Sequence, residues 1–376
     1  MILRPSYRNR VERALKRSPI CALLGPRQCG KTTLARSIAK DTESHYFDLE
    51  SPRDLLRVQN PEQALGELTG LVVLDEVQVK PELFPVLRVL ADRPEASSRF
   101  LVLGSASPEL IRQSSESLAG RVEFVDLHGF DIGEAGERRV SKLWLRGGFP
   151  RSFLADSEED SVAWREGFVR TFLERDLPQF GIRVGAQVMR RFWTMLAHSH
   201  GQIWNASELG RALGLSDKTV KGYLDSLTQT YMVRQLQPWF ENLGKRQVKS
   251  PKIYLRDSGL LHRLLSLDHA EGVSGHPKVG CSWEGFAMEQ VLRLNRNRDA
   301  YFWATQSGAE LDLLLFEEGK RIGYEFKYSE NPSVTRSMRI AIEDLNLETL
   351  KIICPGDVRA KPDEKIEVVG LRNLVP

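Results

Sequence analysis

The eight residues Gly25-Pro-Arg-Gln-Cys-Gly30-Lys31-Thr32 constrain this chain more than any other stretch. They fit the spacing GxxxxGK[ST], follow the apolar run IleCysAlaLeuLeu, and open a helical pattern predicted over 31–40. In that order of strand, loop and helix, consecutive backbone N–H groups can turn inward around a phosphate, with the positive end of the helix behind them. The spacing assigns Gly25, Pro26, Arg27, Gln28, Cys29, Gly30, Lys31, Thr32 and Thr33 to nucleotide binding. Lys31 is placed to reach the β- and γ-phosphate oxygens and Thr32 to ligate Mg²⁺, so ATP and Mg²⁺ are the expected cofactors.

Four further apolar runs follow, near 45, 71, 100 and 122, separated by helical stretches. Continuous apolar strands alternating with helices predict a parallel sheet covered on both faces. The run LeuValValLeuAspGlu ends in two carboxylates, with Asp75 expected to hold Mg²⁺ through water and Glu76 to polarise the attacking water. The next run ends at Ser105, read either as a contact to the γ-phosphate or its water, or as a helix N-cap before Pro108. Arg121, just before the fifth strand, is the candidate for stabilising transition-state charge in a neighbouring subunit, with Arg112 second.

Taken in order, the GlyProArgGlnCysGlyLysThrThrLeu loop, LeuValValLeuAspGluValGln, LeuGlySerAlaSer, SerLeuAlaGlyArgVal and TrpLeuArgGlyGlyPhePro resemble a widespread prokaryotic family of AAA+-like ATPases. In that family the C-terminal half is a domain of unknown function. The resemblance runs over essentially the whole chain and implies ATP hydrolysis and a nuclease-like C-terminal fold. Cys29 stands where such loops more often carry a small aliphatic residue, which raises the prospect of a site sensitive to oxidation.

At 376 residues the chain has room for two or three domains, and 41% hydrophobic with 27% charged residues excludes a disordered or membrane-embedded chain. The expected fold class is a multidomain α/β protein: a P-loop ATPase domain with a parallel sheet over 1–128, a helical lid over 129–200, a winged helix over 201–271, and an α/β nuclease-like domain over 278–376. The stretch 272–278 reads as the linker. The four cysteines, Cys21, Cys29, Cys281 and Cys354, lie far apart and suggest neither disulfides nor a zinc site. With no apolar run of membrane-spanning length, the expectation is a cytoplasmic protein without a membrane role.

Residues 206–227 read as helix, turn, helix, with Gly214 at the turn, Ser216 as a cap, and Lys218, Thr219 and Lys221 on the outer face. The segment 201–257 has nine basic against five acidic residues, although the whole chain carries only +3. Local excess charge after a helix–turn–helix is winged-helix logic, with Lys218, Lys221, Lys245, Arg246 and Lys249 as the DNA contacts. Winged helices also serve as lids and protein-contact modules, and a solvated lysine face is the plain alternative.

Residues 310–328 alternate polar with apolar around a GluGluGlyLys turn. A turn centred between Glu318 and Gly319 places Asp312 opposite Glu325 and Glu310 opposite Lys327. Facing carboxylates repel unless something positive lies between them, and a divalent metal is one candidate. The pattern resembles the PD-(D/E)xK nuclease core, which implies metal ligation by Glu284, Asp312 and Glu325, with Glu289 second to Glu284, and Lys327 as the nuclease lysine that orients or activates water. The function these features predict is an ATP-driven DNA motor or remodeller acting as a homo-oligomer, a hexamer being the form considered. The rival is a nucleotide-controlled switch whose C-terminal half captures a protein partner.

Overall fold

The run predicted as the first strand is buried along its whole length as β1 (Ile20–Gly25), its alternate side chains entering two different cores. It belongs to a five-stranded parallel sheet with β2 (Ser44–Asp48), β3 (Gly70–Asp75), β4 (Ser98–Ser105) and β5 (Val122–Asp126), in the order β2-β3-β4-β1-β5. The computed structural model describes residues 2–93, 98–105, 118–182, 184–241, 247–295 and 299–374.

Ile20, Ala22 and Leu24 pack with Val72, Leu74, Phe100 and Val102 under the helix Leu83–Ala91. On the other face Cys21 and Leu23 pack under the helices Pro5–Arg17 and Lys31–Lys40. Both faces are covered, which is why strands of this sheet read as unbroken apolar runs. These elements form one compact unit, residues 1–129 with 229–231.

The second unit comprises residues 130–228 and 232–376. Its first part is helical, as expected, and Phe149, Phe168, Phe172 and Trp193 share its core. The helix Ala186–His198 leads to β6 (Gln202–Ile203), the helices Ala206–Leu213 and Asp217–Gln229, and the antiparallel strands β7 (Val233–Pro238) and β8 (Lys252–Leu255). Ser216 caps the helix Asp217–Gln229, its Oγ accepting from Thr219 N at 3.2 Å.

The helix Val279–Leu294 then packs against a sheet of β9 (Ala300–Ala304), β10 (Glu310–Glu317), β11 (Lys320–Phe326), β12 (Thr349–Cys354), β13 (Arg359–Asp363) and β14 (Ile366–Gly370). β10 and β11 pair from Leu313 opposite Tyr324 to Glu317 opposite Lys320, the register that the turn predicts. β7 pairs in parallel with β9, so one nine-stranded mixed sheet runs from β6 to β13. The stretch read as a linker starts inside the helix Ala270–Ser274, where Val273 is buried.

The junction is also ionic. Glu289 of the helix Val279–Leu294 is 2% exposed and ion-pairs with Arg234 of β7, while Arg256 Nε and Arg293 Nε lie 3.6 and 3.9 Å from its Oε2. Burial raises the Glu289 carboxyl, but Arg234, Arg256 and Arg293 outweigh it and pull it down to about 2. Glu289 is therefore committed to arginines and is not a reserve metal ligand.

Because its folded value lies below the ordinary 4.5, this carboxylate contributes stability above that value and loses it as pH falls toward 2. Glu289→Gln leaves three partly buried guanidinium groups without their buried carboxylate and should cost about 3–5 kcal/mol at pH 7. In chemical denaturation followed by circular dichroism, the gap between variant and wild type should narrow as pH falls below about 4.

Candidate functional site

Gly25 closes β1 beside Ser105, the last residue of β4, so loop and serine share the carboxyl edge of the sheet. A side chain at Gly25 would overlap the carbonyl oxygen of Leu127, which explains the glycine there. The loop turns through left-handed backbone at Gln28 (φ 61°) and Gly30 (φ 103°), and the helix starts at Lys31. Lys31 is buried and its Nζ donates to Gly25 O (3.0 Å) and Pro26 O (2.9 Å), so its ammonium lies against the loop's opening residues. Arg27 pairs with Glu50 at 3.3 Å.

The loop's far side is fixed by a residue that sequence reasoning missed. Arg4 donates through Nη1 to Cys29 O (3.0 Å) and through Nη2 to His128 O (2.9 Å), tying the loop to the end of β5. Cys29 is buried, its Sγ 3.4 Å from Leu127 O, which limits the access of oxidants to its thiol.

Asp75 ends β3 and is buried. Tyr46 Oη donates to its Oδ2 at 2.5 Å, and Thr32 hydrogen-bonds to it as well. Burial pushes the Asp75 carboxyl up, and the Tyr46 and Thr32 hydrogen bonds oppose that rise. The next residue, Glu76, is held in left-handed backbone at φ 57°, an uncommon conformation for a non-glycine residue, and accepts from the Gln78 side-chain amide. Ser105 is 1% exposed, and its Oγ has no hydrogen-bond partner among the described residues. Thr32 and Asp75 already within hydrogen-bonding reach of each other, a buried lysine, and an orphaned serine hydroxyl form a donor set that fits a nucleotide phosphate chain with Mg²⁺.

Arg121 lies elsewhere. It precedes β5 at the amino edge of the sheet, its carbonyl accepting from Ile20 N at 3.2 Å, about 16 Å of strand away from Gly25. Its guanidinium forks onto Asp92 at 2.6 and 2.7 Å. Arg121 is thus held in an ion pair with Asp92, remote from its own chain's loop. Arg112 lies outside the described residues.

In the second unit Asp312 (7% exposed) and Glu325 (4%) sit at the next position of the β10–β11 register, and Asp312 Oδ2 accepts from Phe326 N at 3.0 Å. Two ammonium groups, Lys327 and Lys252, stand among these acids together with Glu284 and Glu310. Lys327 Nζ is 2.8 Å from Glu325 Oε2 and 3.8 Å from Asp312 Oδ2. Lys252 Nζ of β8 lies 3.6 Å from Glu284 Oε1 and 3.7 Å from Asp312 Oδ1, and ion-pairs with Glu310. Glu310 therefore faces Lys252, whereas the alternation had placed it opposite Lys327.

Tyr254 Oη donates to Glu284. Burial and the nearby Asp312 raise Glu284 to about 7 and Glu325 to about 8, against the lowering effects of Lys252 and Lys327. Burial lowers Lys252, but Tyr254 and the Glu284, Asp312 and Glu310 carboxylates more than offset it. Among the described residues no group of three acidic, histidine or cysteine side chains is arranged to hold a metal ion. The expected metal set of Glu284, Asp312 and Glu325 does not fit this arrangement, because ammonium groups stand between the carboxylates.

Of the expected DNA contacts, Lys218, Lys221 and Lys249 are exposed, whereas Lys245 and Arg246 lie outside the described residues. Three other basic residues of the same segment, Arg234, Lys252 and Arg256, turn inward onto acids of the C-terminal part.

The fold and the loop define an AAA-like P-loop ATPase. Residues 17–136 match a family described as an AAA domain, and residues 137–271 and 279–374 match two domains of unknown function, DUF8612 and DUF4143. The Walker-type ATPase PABY2304 of Pyrococcus abyssi shares the fold, with a TM-score of 0.52 and 14% identity over 70% of this chain and 96% of its own. The chain belongs to the same family as the uncharacterized proteins Rv2008c of Mycobacterium tuberculosis and Mb2031c of Mycobacterium bovis. Each is 52% identical to it over 366 residues, 97% of this chain and 83% of the relative. Among the described residues no helix is long and apolar enough to cross a membrane.

Lys31→Ala removes the only ammonium that the loop itself supplies to a phosphate chain. Titration with a fluorescent ATP analogue should show affinity reduced by ~100-fold or more, with the circular dichroism spectrum unchanged.

Proposed function

We propose that the chain hydrolyses ATP with Mg²⁺ and uses the nucleotide cycle to act on DNA through a winged-helix module, which precedes a C-terminal fold of the PD-(D/E)xK kind. Thr32 and Asp75 would hold Mg²⁺, which supplies charge neutralisation at the phosphates. Lys31 and the inward amides of the loop bind and orient the phosphate chain. Ser105 supplies a hydroxyl beside it, and Glu76 accepts the proton of the attacking water.

The observation that carries the hydrolysis is Glu76. Glu76 stands in left-handed backbone directly after β3, less buried than Asp75, and its carboxylate accepts from the Gln78 amide. The two neighbouring acids can then take different roles.

Support for DNA contact comes from the order of helix, short strand, two helices and antiparallel pair, with Lys218 and Lys221 exposed on the second of those two helices. The rival reading, a nucleotide-controlled switch for a protein partner, gains from the inward turn of Arg234, Lys252 and Arg256. That turn removes three of the nine basic residues of 201–257 from any phosphate-facing surface.

ATP turnover measured with single-stranded, duplex and branched DNA at two salt concentrations separates the readings. The DNA reading predicts stimulation that weakens with salt, and a Lys218→Ala/Lys221→Ala/Lys249→Ala variant whose log-log binding slope is shallower by about 0.9 per lost phosphate contact. Unstimulated turnover together with an unchanged slope favours the protein-partner switch.

A further inference from the structure

We propose that Lys252 is the resident cation of the carboxylate centre in the second unit, standing where a nuclease core of this kind holds a divalent metal, and that the centre is an ionic latch that takes up no metal. The proposal rests on the PD-(D/E)xK reading of the hairpin and is independent of the ATPase and DNA readings.

The side chain of Lys252 is 5% exposed and reaches three acids from two different elements: Glu284 of the helix Val279–Leu294, and Glu310 and Asp312 of β10. An ammonium carries three N–H donors on a compact point charge, which suits three separate carboxylate acceptors better than the planar fork of arginine would. Its Nζ also lies 5.6 Å from the Phe302 ring centroid, within cation–π range. Tyr254, two residues along the same face of β8, donates to the same Glu284.

A hard divalent cation bridging Glu284 and Asp312 would sit about 2.1–2.5 Å from each carboxylate, in the space that the ammonium occupies. Lys327 provides a second positive charge on Asp312 and Glu325, so an incoming metal would meet two ammonium groups and would have to expel one. The acids lie on the C-terminal elements and Lys252 on β8, so this pairing fastens the strand pair after the two helices to the C-terminal sheet.

The test is Mn²⁺ binding to the full chain without nucleotide, followed by electron paramagnetic resonance of free Mn²⁺. Any ion taken up at Thr32 and Asp75 is common to all samples, so each is compared with its Asp312→Asn counterpart. Wild type and Asp312→Asn should bind the same number of Mn²⁺ ions. Lys252→Met should bind one more per chain, and Lys252→Met/Asp312→Asn should lose it. Asp312-dependent Mn²⁺ binding by the wild type would overturn the latch while leaving the nuclease-like fold standing. A folded Lys252→Met that takes up no additional ion would overturn the assignment of Lys252 to the metal's place. If Lys252→Met does not fold, Lys252→Gln replaces it under the same two criteria, and the wild-type comparison decides without either.

Discussion

The Leu127 carbonyl leaves no room at Gly25 for a side chain, and the phosphate loop's shape depends on that close approach. β5 closes against the loop's first residue, Cys29 lies against the same carbonyl, and Arg4 ties Cys29 O to His128 O. The loop is thereby held from both ends before any ligand is considered. Preorganised amides and a placed ammonium spare the cost of ordering at the moment of binding, which is how a short loop can grip a flexible triphosphate.

The second unit uses charge differently. Its basic residues look like a nucleic-acid surface in the sequence, yet several of them neutralise buried acids. Glu289 with Arg234, Arg256 and Arg293, and Lys252 with Glu284, Glu310 and Asp312, form two ionic junctions between β7–β8 and the C-terminal elements. Removing one partner from such a junction strands the others in a poorly solvated place, so the pairs hold the two parts in one arrangement. The outward-facing positive charge is accordingly smaller than the segment's composition suggests.

What could be read from the sequence was what local chemistry determines. The loop, its strand and its helix are specified within a dozen residues, and the β10–β11 register follows from period-two alternation around a tight turn. The direction of Arg234, Lys252 and Arg256 was not legible, because their acids lie some 30 to 60 residues away and a charged residue looks alike whether it faces water or a buried partner. One clue existed: Lys252 and Tyr254 fall on one face of a strand whose four residues are all buried. Arg121 lies away from its own chain's loop for a topological reason that the parallel sheet makes plain, since a residue preceding a strand lies at the edge opposite the loops that follow the strands.

The central claim is that two adjacent carboxylates have separate roles, Asp75 beside Thr32 and Glu76 toward water. Phosphate release and nucleotide affinity measured on one preparation of Glu76→Gln test it most directly. The account predicts ATP affinity close to wild type with phosphate release slowed by ~100-fold or more. Release at the wild-type rate would contradict it.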